Sequence, residues 1–187
     1  VLDNSYIFSS LTTLDIDSVN LSTKLSSKLI RYPLSPLLII SLIPLGQSVA
    51  ITGIPNAKDS NILDLYSGVG SFGLECISQK AKKVVFVEED RQALLILDKN
   101  LTNLSVQDKN QVFDGKVEDY LNQNIVSKFN IFFFDPPFAD INYLNNIKKI
   151  KEIGIYTKNN LVIVHREKKS LENYDKIFKT ISTKNYG

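Results

Sequence analysis

The residues best suited to chemistry are Asp135-Pro136-Pro137-Phe138, directly after the apolar run Phe129 to Phe134. Two consecutive prolines fix φ and withhold two backbone donors, so the turn is stiff and its carbonyl oxygens stay open to accept hydrogen bonds. Such a corner suits an amine. An amino group held by the Asp135 carboxylate and the Pro136 carbonyl has its nitrogen lone pair turned toward a methyl donor, which is catalysis of an in-line transfer by positioning. Phe138 can stack on a nucleobase, a contact worth about 1–3 kcal/mol per base. Two prolines that merely end a strand would explain the tetrapeptide alone, but not its place after two further motifs.

The first of these is Leu63-Asp64-Leu65-Tyr66-Ser67-Gly68-Val69-Gly70-Ser71-Phe72-Gly73, a glycine turn between a strand and a helix. A side chain there would keep the backbone away from a ligand, and tight turns use positive φ. Gly68, Gly70 and Gly73 also fit the G-x-G-x-x-G spacing of dinucleotide-binding proteins, so the glycines do not choose between NAD and other nucleoside cofactors. The second is Glu88, 24 residues past Asp64, where a carboxylate can accept hydrogen bonds from both hydroxyls of an adenosine ribose. Glu89 and Asp90 follow it. Carboxylates are favoured at helix N-termini, and Asp90 reads as the cap of the next helix. Glu88 comes straight off a strand at the edge where open α/β sheets bind ligands, and reads as the ligand.

The elements that must position these residues follow from hydrophobic patterning. Short β-rich runs at Ile62–Tyr66, Lys83–Val87, Gln111–Asp114, Phe129–Phe134 and Leu161–His165 alternate with helical patterns, as in βαβ units around a largely parallel sheet. Apolar residues at 94, 95, 97, 101 and 104 predict a helix over 91–104, and another amphipathic pattern covers 143–153. The run at 129–134 has the continuous apolar character of a strand buried on both faces. Residues 1 to 57 show no sustained period and are broken by prolines at 33, 36, 44 and 55, so the division expected is a segment 1–57 followed by an α/β domain over 58–187.

Composition narrows the classes further. At 187 residues with 43% hydrophobic and 22% charged residues, the chain has enough material for one domain with a core, and too little for two ordinary ones. The single Cys76 forms no internal disulfide, and no Cys/His cluster has metal-ligand spacing, so no metal and a reducing cytoplasm are expected. A net charge of +2 does not argue for nucleic acid, although lysines collect at 80–83 and 148–151, and basic residues again at 166–169. The apolar stretch Leu34 to Ile51 is interrupted by Pro36, Pro44 and Gly46 and falls short of a membrane span of roughly 20 residues. The start, Val1-Leu2-Asp3-Asn4, lacks the basic flank and apolar core of an export signal, and a monomer off the membrane is expected.

With these motifs in place, the stretch from Asn61 to about Lys169 resembles the RsmD family, bacterial methyltransferases that modify the N2 amine of a guanine in small-subunit ribosomal RNA. The strings ILDLYSGVGSFGLE, VVFVEEDRQAL, NIFFFDPPF and LVIVHREKK follow the family's order and spacing. The resemblance implies a Rossmann-like class I S-adenosylmethionine-dependent methyltransferase fold, three-layered with a mostly parallel sheet. It implies that Asp64, Gly68, Gly70 and Glu88 line the S-adenosylmethionine site and that Asp135 to Phe138 meet the flipped guanine. Lys116, with Val117 beside it, falls in the column where the family places an acidic contact to adenine. The implied partner is ribosomal RNA or the assembled small subunit. Relatives acting on adenine or glutamine nitrogens carry asparagine in place of Asp135, so aspartate leans toward guanine.

Several departures accompany the likeness. Leu42-Ile43-Pro44-Leu45-Gly46-Gln47-Ser48-Val49 stands where the family carries a segment with arginines, which bind phosphate bidentately. The chain also stops at Lys184-Asn185-Tyr186-Gly187, where the family continues into a final strand. A degenerate, noncatalytic binding remnant is therefore an alternative, as is an N6-adenine methyltransferase. An NAD-dependent oxidoreductase ranks last, because it leaves Asp135 to Phe138 unexplained. Tyr66 and Phe72 fit a place beside the cofactor and a place in the core equally well. His165, the single histidine, has no partner discernible along the sequence, and Cys76 reads as a small buried hydrophobe.

Overall fold

The computed structural model describes residues 4–10, 57–167, 174, 177 and 179–186. Strands β1 (Asn4–Ser10), β2 (Asn61–Leu65), β3 (Lys83–Glu88), β4 (Asn110–Asp114), β5 (Phe129–Phe134), β6 (Tyr156–Glu167) and β7 (Lys179–Tyr186) form one sheet in the order β4-β3-β2-β5-β6-β1-β7. Strands β2 to β6 are mutually parallel. Helices α1 (Ser71–Ser78), α2 (Arg91–Leu104), α3 (Val117–Leu121) and α4 (Tyr143–Ile153) connect them. The α/β architecture read from the patterning is the one that forms, and both longer helices keep their expected bounds.

Alternation along the strands explains the layers. Leu63, Leu65, Phe132, Phe134, Val162 and Val164 face α3 and α4 and pack with Leu121, Ile147 and Ile150. Ile62, Val84, Phe86, Ile131, Phe133 and Ile163 face α1 and α2 and pack with Phe72, Cys76, Leu97 and Leu101. Strand β5 is central and covered on both sides, which is why its apolar run is unbroken. Each such large side chain contributes about 1.5–3 kcal/mol by leaving water. Helix α2 is capped by Asp90, whose Oδ1 accepts from the Ala93 N–H at 2.8 Å, and it ends at Ser105 in the left-handed region. Its buried stripe is Leu97 and Leu101, whereas Leu95 is 58% exposed, because three- and four-residue steps set the stripe and position 95 falls outside it.

Two strands were not legible in advance. Residues 179–186 form β7, and residues 4–10, on the N-terminal side of the boundary expected near residue 57, form β1 within the same sheet. Strand β1 runs antiparallel to β6 on one side and to β7 on the other. The segment 42–49, whose lack of arginines set it apart from the family pattern, lies outside the described residues.

One feature of the strand order places the site. From β2 the chain moves outward through β3 and β4 on one side, then through β5 and β6 on the other. The loops after β2 and β5 diverge over the carboxyl edge at that switch point, opening a crevice where open α/β sheets bind ligands.

Candidate active site

The loop after β2 is held by its own backbone and by one carboxylate. Tyr66 leaves the strand with φ of 59°, a left-handed conformation that costs a non-glycine residue about 1 kcal/mol or more. The turn closes through Ser67 N–H to the Val87 carbonyl at 3.0 Å and Gly70 N–H to the Ser67 carbonyl at 2.8 Å. Glu88 then ties three segments together. Its Oε2 accepts from the Gly68 N–H at 2.6 Å, and its Oε1 accepts from the Glu89 and Asp90 N–H groups at 3.0 and 2.8 Å. Its own carbonyl accepts from the Gly115 N–H at 2.8 Å, which brings Lys116 and Val117 round to the same edge.

The three glycines do different work. A Cβ on Gly70, whose φ is 85°, would lie 2.4 Å from a methyl of Leu97, and one on Gly73 would lie 2.2 Å from the Phe86 ring. Gly70 lets the start of α1 close against α2, and Gly73 lets α1 settle onto β3. Gly68 has open space over its Cα and contributes its N–H to Glu88. Asp64 stands behind the loop, fully buried, with Oδ2 accepting from the Gly73 N–H at 2.9 Å. Burial pushes its carboxyl well above the usual aspartate range, and the nearby charges of Asp135 and Glu88 add to this, while the Gly73 N–H opposes it.

The turn after β5 is held from the neighbouring strand. The Asp135 N–H reaches the Leu65 carbonyl at 3.4 Å. The Asp135 side chain, 44% exposed, has its Oδ1 2.7 Å from His165 Nδ1. Arg166, the next residue of β6, donates through its two terminal nitrogens to the Pro137 and Phe138 carbonyls at 3.1 and 2.7 Å. Its guanidinium lies 4.8 Å from the centre of the Tyr143 ring. The Phe138 ring meets the His165 ring edge-on at 6.0 Å. A third wall comes from α3 and α4, where the buried Asn146 donates to the Tyr66 hydroxyl at 2.9 Å and to Glu118 at 2.8 Å. Burial lifts the Tyr66 hydroxyl above its ordinary range, so it stays protonated at neutral pH.

These walls enclose an open cleft of about 1180 Å³. Tyr66, Glu88, Lys116, Val117 and the whole Asp135–Phe138 turn line it. Asp64, Gly68 and Gly70 do not line it; they shape and brace the loop at its rim. Among the described residues the cleft is strongly acidic, with Glu88, Glu89, Asp90, Glu118, Asp135 and Asp140 set against the one cation Lys116. Of the basic clusters, Lys83 opens β3 and so lies at the amino edge of the sheet, opposite the site. Arg166 is buried in the brace rather than solvated, and Lys168 and Lys169 lie outside the described residues. No group of three or more His, Cys, Asp or Glu suited to a metal occurs among the described residues. None of their helices is long and apolar enough to cross a membrane.

Sequence reasoning passed over His165 and Arg166. The signal that finds them is register: Phe134 pairs with Val164, so the residues immediately beyond, Asp135 and His165, stand level at the carboxyl edge.

Comparison with known proteins agrees with this architecture. The family described as Conserved hypothetical protein 95 matches residues 51–187. The Ribosomal RNA small subunit methyltransferase D of Haemophilus influenzae is 37% identical over 87 residues, 46% of this chain and 45% of that protein. The protein of the same name from Escherichia coli is 30% identical over 113 residues, 60% of this chain and 56% of that one. The chain thus spans about half the length of the curated relatives it matches. Among solved structures, a candidate methylase of Haemophilus influenzae superposes with a TM-score of 0.57 at 34% identity, covering 64% of this chain and 76% of that one. A candidate methyltransferase of Escherichia coli gives 0.58 at 28% identity, covering 64% and 66%.

Proposed function

This chain belongs to the Conserved hypothetical protein 95 family, the RsmD family, and from that premise we propose that it transfers a methyl group from S-adenosylmethionine to the exocyclic N2 amine of a guanine in small-subunit ribosomal RNA. The observation that carries the reading is that Glu88 and the Asp135–Phe138 turn line one cleft, at the switch point of the sheet.

The donor set fits the cofactor. Glu88 comes off β3 into the lining of the cleft, its carboxylate steadied by three N–H groups and suited to a ribose hydroxyl, and Tyr66 and Val117 line the space with it. Among the described residues, six carboxylates against one lysine favour a ligand carrying positive charge over the pyrophosphate of a dinucleotide. Bound there, S-adenosylmethionine supplies an electrophilic methyl on a cationic sulfur. The chain's own residues orient the acceptor: Asp135 and the Pro136 carbonyl receive the two N–H bonds of a primary aromatic amine, which directs the nitrogen lone pair into the cleft. Phe138, at the lip of the turn, offers a ring face to the base. Aspartate rather than asparagine at 135 supports guanine over adenine. The same reading makes the substrate ribosomal RNA or the small subunit, and the protein a cytoplasmic monomer.

Two measurements test this. Calorimetric titration with S-adenosylhomocysteine and with NAD should give binding to the first alone; tight binding of NAD and none of the other would refute the cofactor. Mass spectrometry of ribosomal RNA from cells with and without this gene should show one lost N2-methylguanine. Loss of an N6-methyladenine instead would keep the chemistry and replace the base. Cofactor binding with no mark lost from any RNA would favour a noncatalytic remnant.

A further inference from the structure

The acceptors of the 135–138 turn are not equally open. Its carboxylate and four carbonyls offer six oxygens. His165 takes Asp135 Oδ1. Arg166 takes the Phe138 carbonyl, and shares the Pro137 carbonyl with the Asp140 N–H. Among the described residues this leaves Asp135 Oδ2 and the carbonyls of Asp135 and Pro136. Two consecutive residues of one strand thus occupy the oxygens on both sides of Pro136.

We infer that His165 and Arg166 are positioning residues for methyl transfer: they fix the turn so that Asp135 Oδ2 and the Pro136 carbonyl are the oxygens presented to the amine. This rests on the functional reading above. The geometry is one that only a strand end supplies. His165 continues the side of β6 that carries Ile163, and Arg166 continues the side that carries Val162 and Val164, so the pair straddles the turn from both faces of the sheet. A carboxylate only accepts, so Nδ1 of His165 carries the hydrogen of their shared bond. A charge-assisted bond at 2.7 Å restricts rotation of the carboxylate about χ2, the freedom that would otherwise spread the amine over many poses. Both residues are buried, with His165 7% and Arg166 3% exposed, while Asp135 lines the cleft. Water therefore competes poorly for the brace, and a substrate reaches only the far side of the carboxylate. Tyr143 seats Arg166 from below, through its ring, and bonds in turn to the Tyr174 hydroxyl.

The test uses the full chain and two independent readouts. His165 is the single histidine, so its imidazole nitrogens can be read directly by ¹⁵N NMR. The wild type should show hydrogen on Nδ1, and Asp135→Ala should move a neutral ring toward the ordinary Nε2–H tautomer. In assays on small subunits prepared from cells lacking this gene, His165→Ala should lower kcat by about 30- to 100-fold. KM for the subunit and affinity for S-adenosylhomocysteine should stay close to wild type. His165→Asn, whose amide N–H can stand in for Nδ1–H, should restore most of the rate. Arg166→Lys, which keeps the charge but loses the fork, should fall between. A wild-type kcat in His165→Ala, or an Nε2–H tautomer in the wild type, would overturn the inference. So would an equal loss in the Asn and Ala variants. If the wild type binds S-adenosylhomocysteine and methylates no RNA, the reading of function fails instead, and the spectra alone decide whether the His165–Asp135 bond exists.

Discussion

Two of the cleft's walls, those around Glu88 and around Asp135, are built by different means. The wall around Glu88 is a backbone structure: three N–H groups converge on one carboxylate, and the positions that matter are glycines and a strand end. The wall around Asp135 is a side-chain structure, in which a stiff turn is gripped by an imidazole and a guanidinium from the adjacent strand. A backbone wall suits a constant ligand, since its shape survives most substitutions around it. A gripped turn suits a reacting group, since small changes in the grip shift acceptors by fractions of an ångström where alignment governs rate.

If that division holds, damage to the two walls should separate cleanly into rate and affinity. The largest effect is expected at Asp135: Asp135→Ala should reduce methyl transfer by about a thousandfold, with cofactor affinity spared in a calorimetric titration. A normal rate with vanished affinity would reverse the assignment of the walls. Next, Glu88→Ala removes charge-assisted bonds worth about 1.5–3 kcal/mol, so affinity for S-adenosylhomocysteine should weaken about 10- to 100-fold. At saturating cofactor its kcat should change little. Gly73→Ala probes the packing beneath the first wall. Its Cβ meets the Phe86 ring, and thermal melting should report a loss of about 1–3 kcal/mol.

The smallest effect concerns Asp64. Its carboxyl is raised in the folded protein by burial, so the stability it contributes is present below the unfolded aspartate value of about 3.9 and declines as pH rises through the folded value. Asp64→Asn keeps an acceptor for the Gly73 N–H without the charge. Urea unfolding from pH 4 upward should show the variant gaining on the wild type as pH rises; parallel curves would mean the carboxyl is not raised.

The same contrast explains what could be read in advance. The backbone wall is encoded in short stretches, with the glycines, Glu88 and the Asp90 cap each following a strand or opening a helix, so local patterns located them. Their individual roles were less legible, because Gly70 answers to Leu97 on α2 and Gly73 to Phe86 on β3, neither of which is near in sequence. Asp135 to Phe138 stood out through chemistry alone. The grip on them did not, because His165 and Arg166 lie about 30 residues on and meet the turn only once β5 and β6 pair. Arg166 stands in the sequence as one member of a basic cluster, and nothing local marks it as buried. Strands β1 and β7 escaped for a related reason: mixed polar segments carry little period, and sheet neighbours supplied the pairing.

The placement of β1 also bears on the order of assembly. Among the described residues strand β7 meets the sheet only through β1, and β1 pairs Asn4 with Glu167 and with Tyr186. During synthesis the earliest of these segments must therefore wait, unzipped, until the latest ones emerge, and closing so long a loop is slow. Until then the flank of β6 offers open hydrogen-bonding groups that the same strand from a second molecule could occupy. Refolding yield should accordingly fall as protein concentration rises, with exchanged dimers as the by-product seen on size-exclusion chromatography.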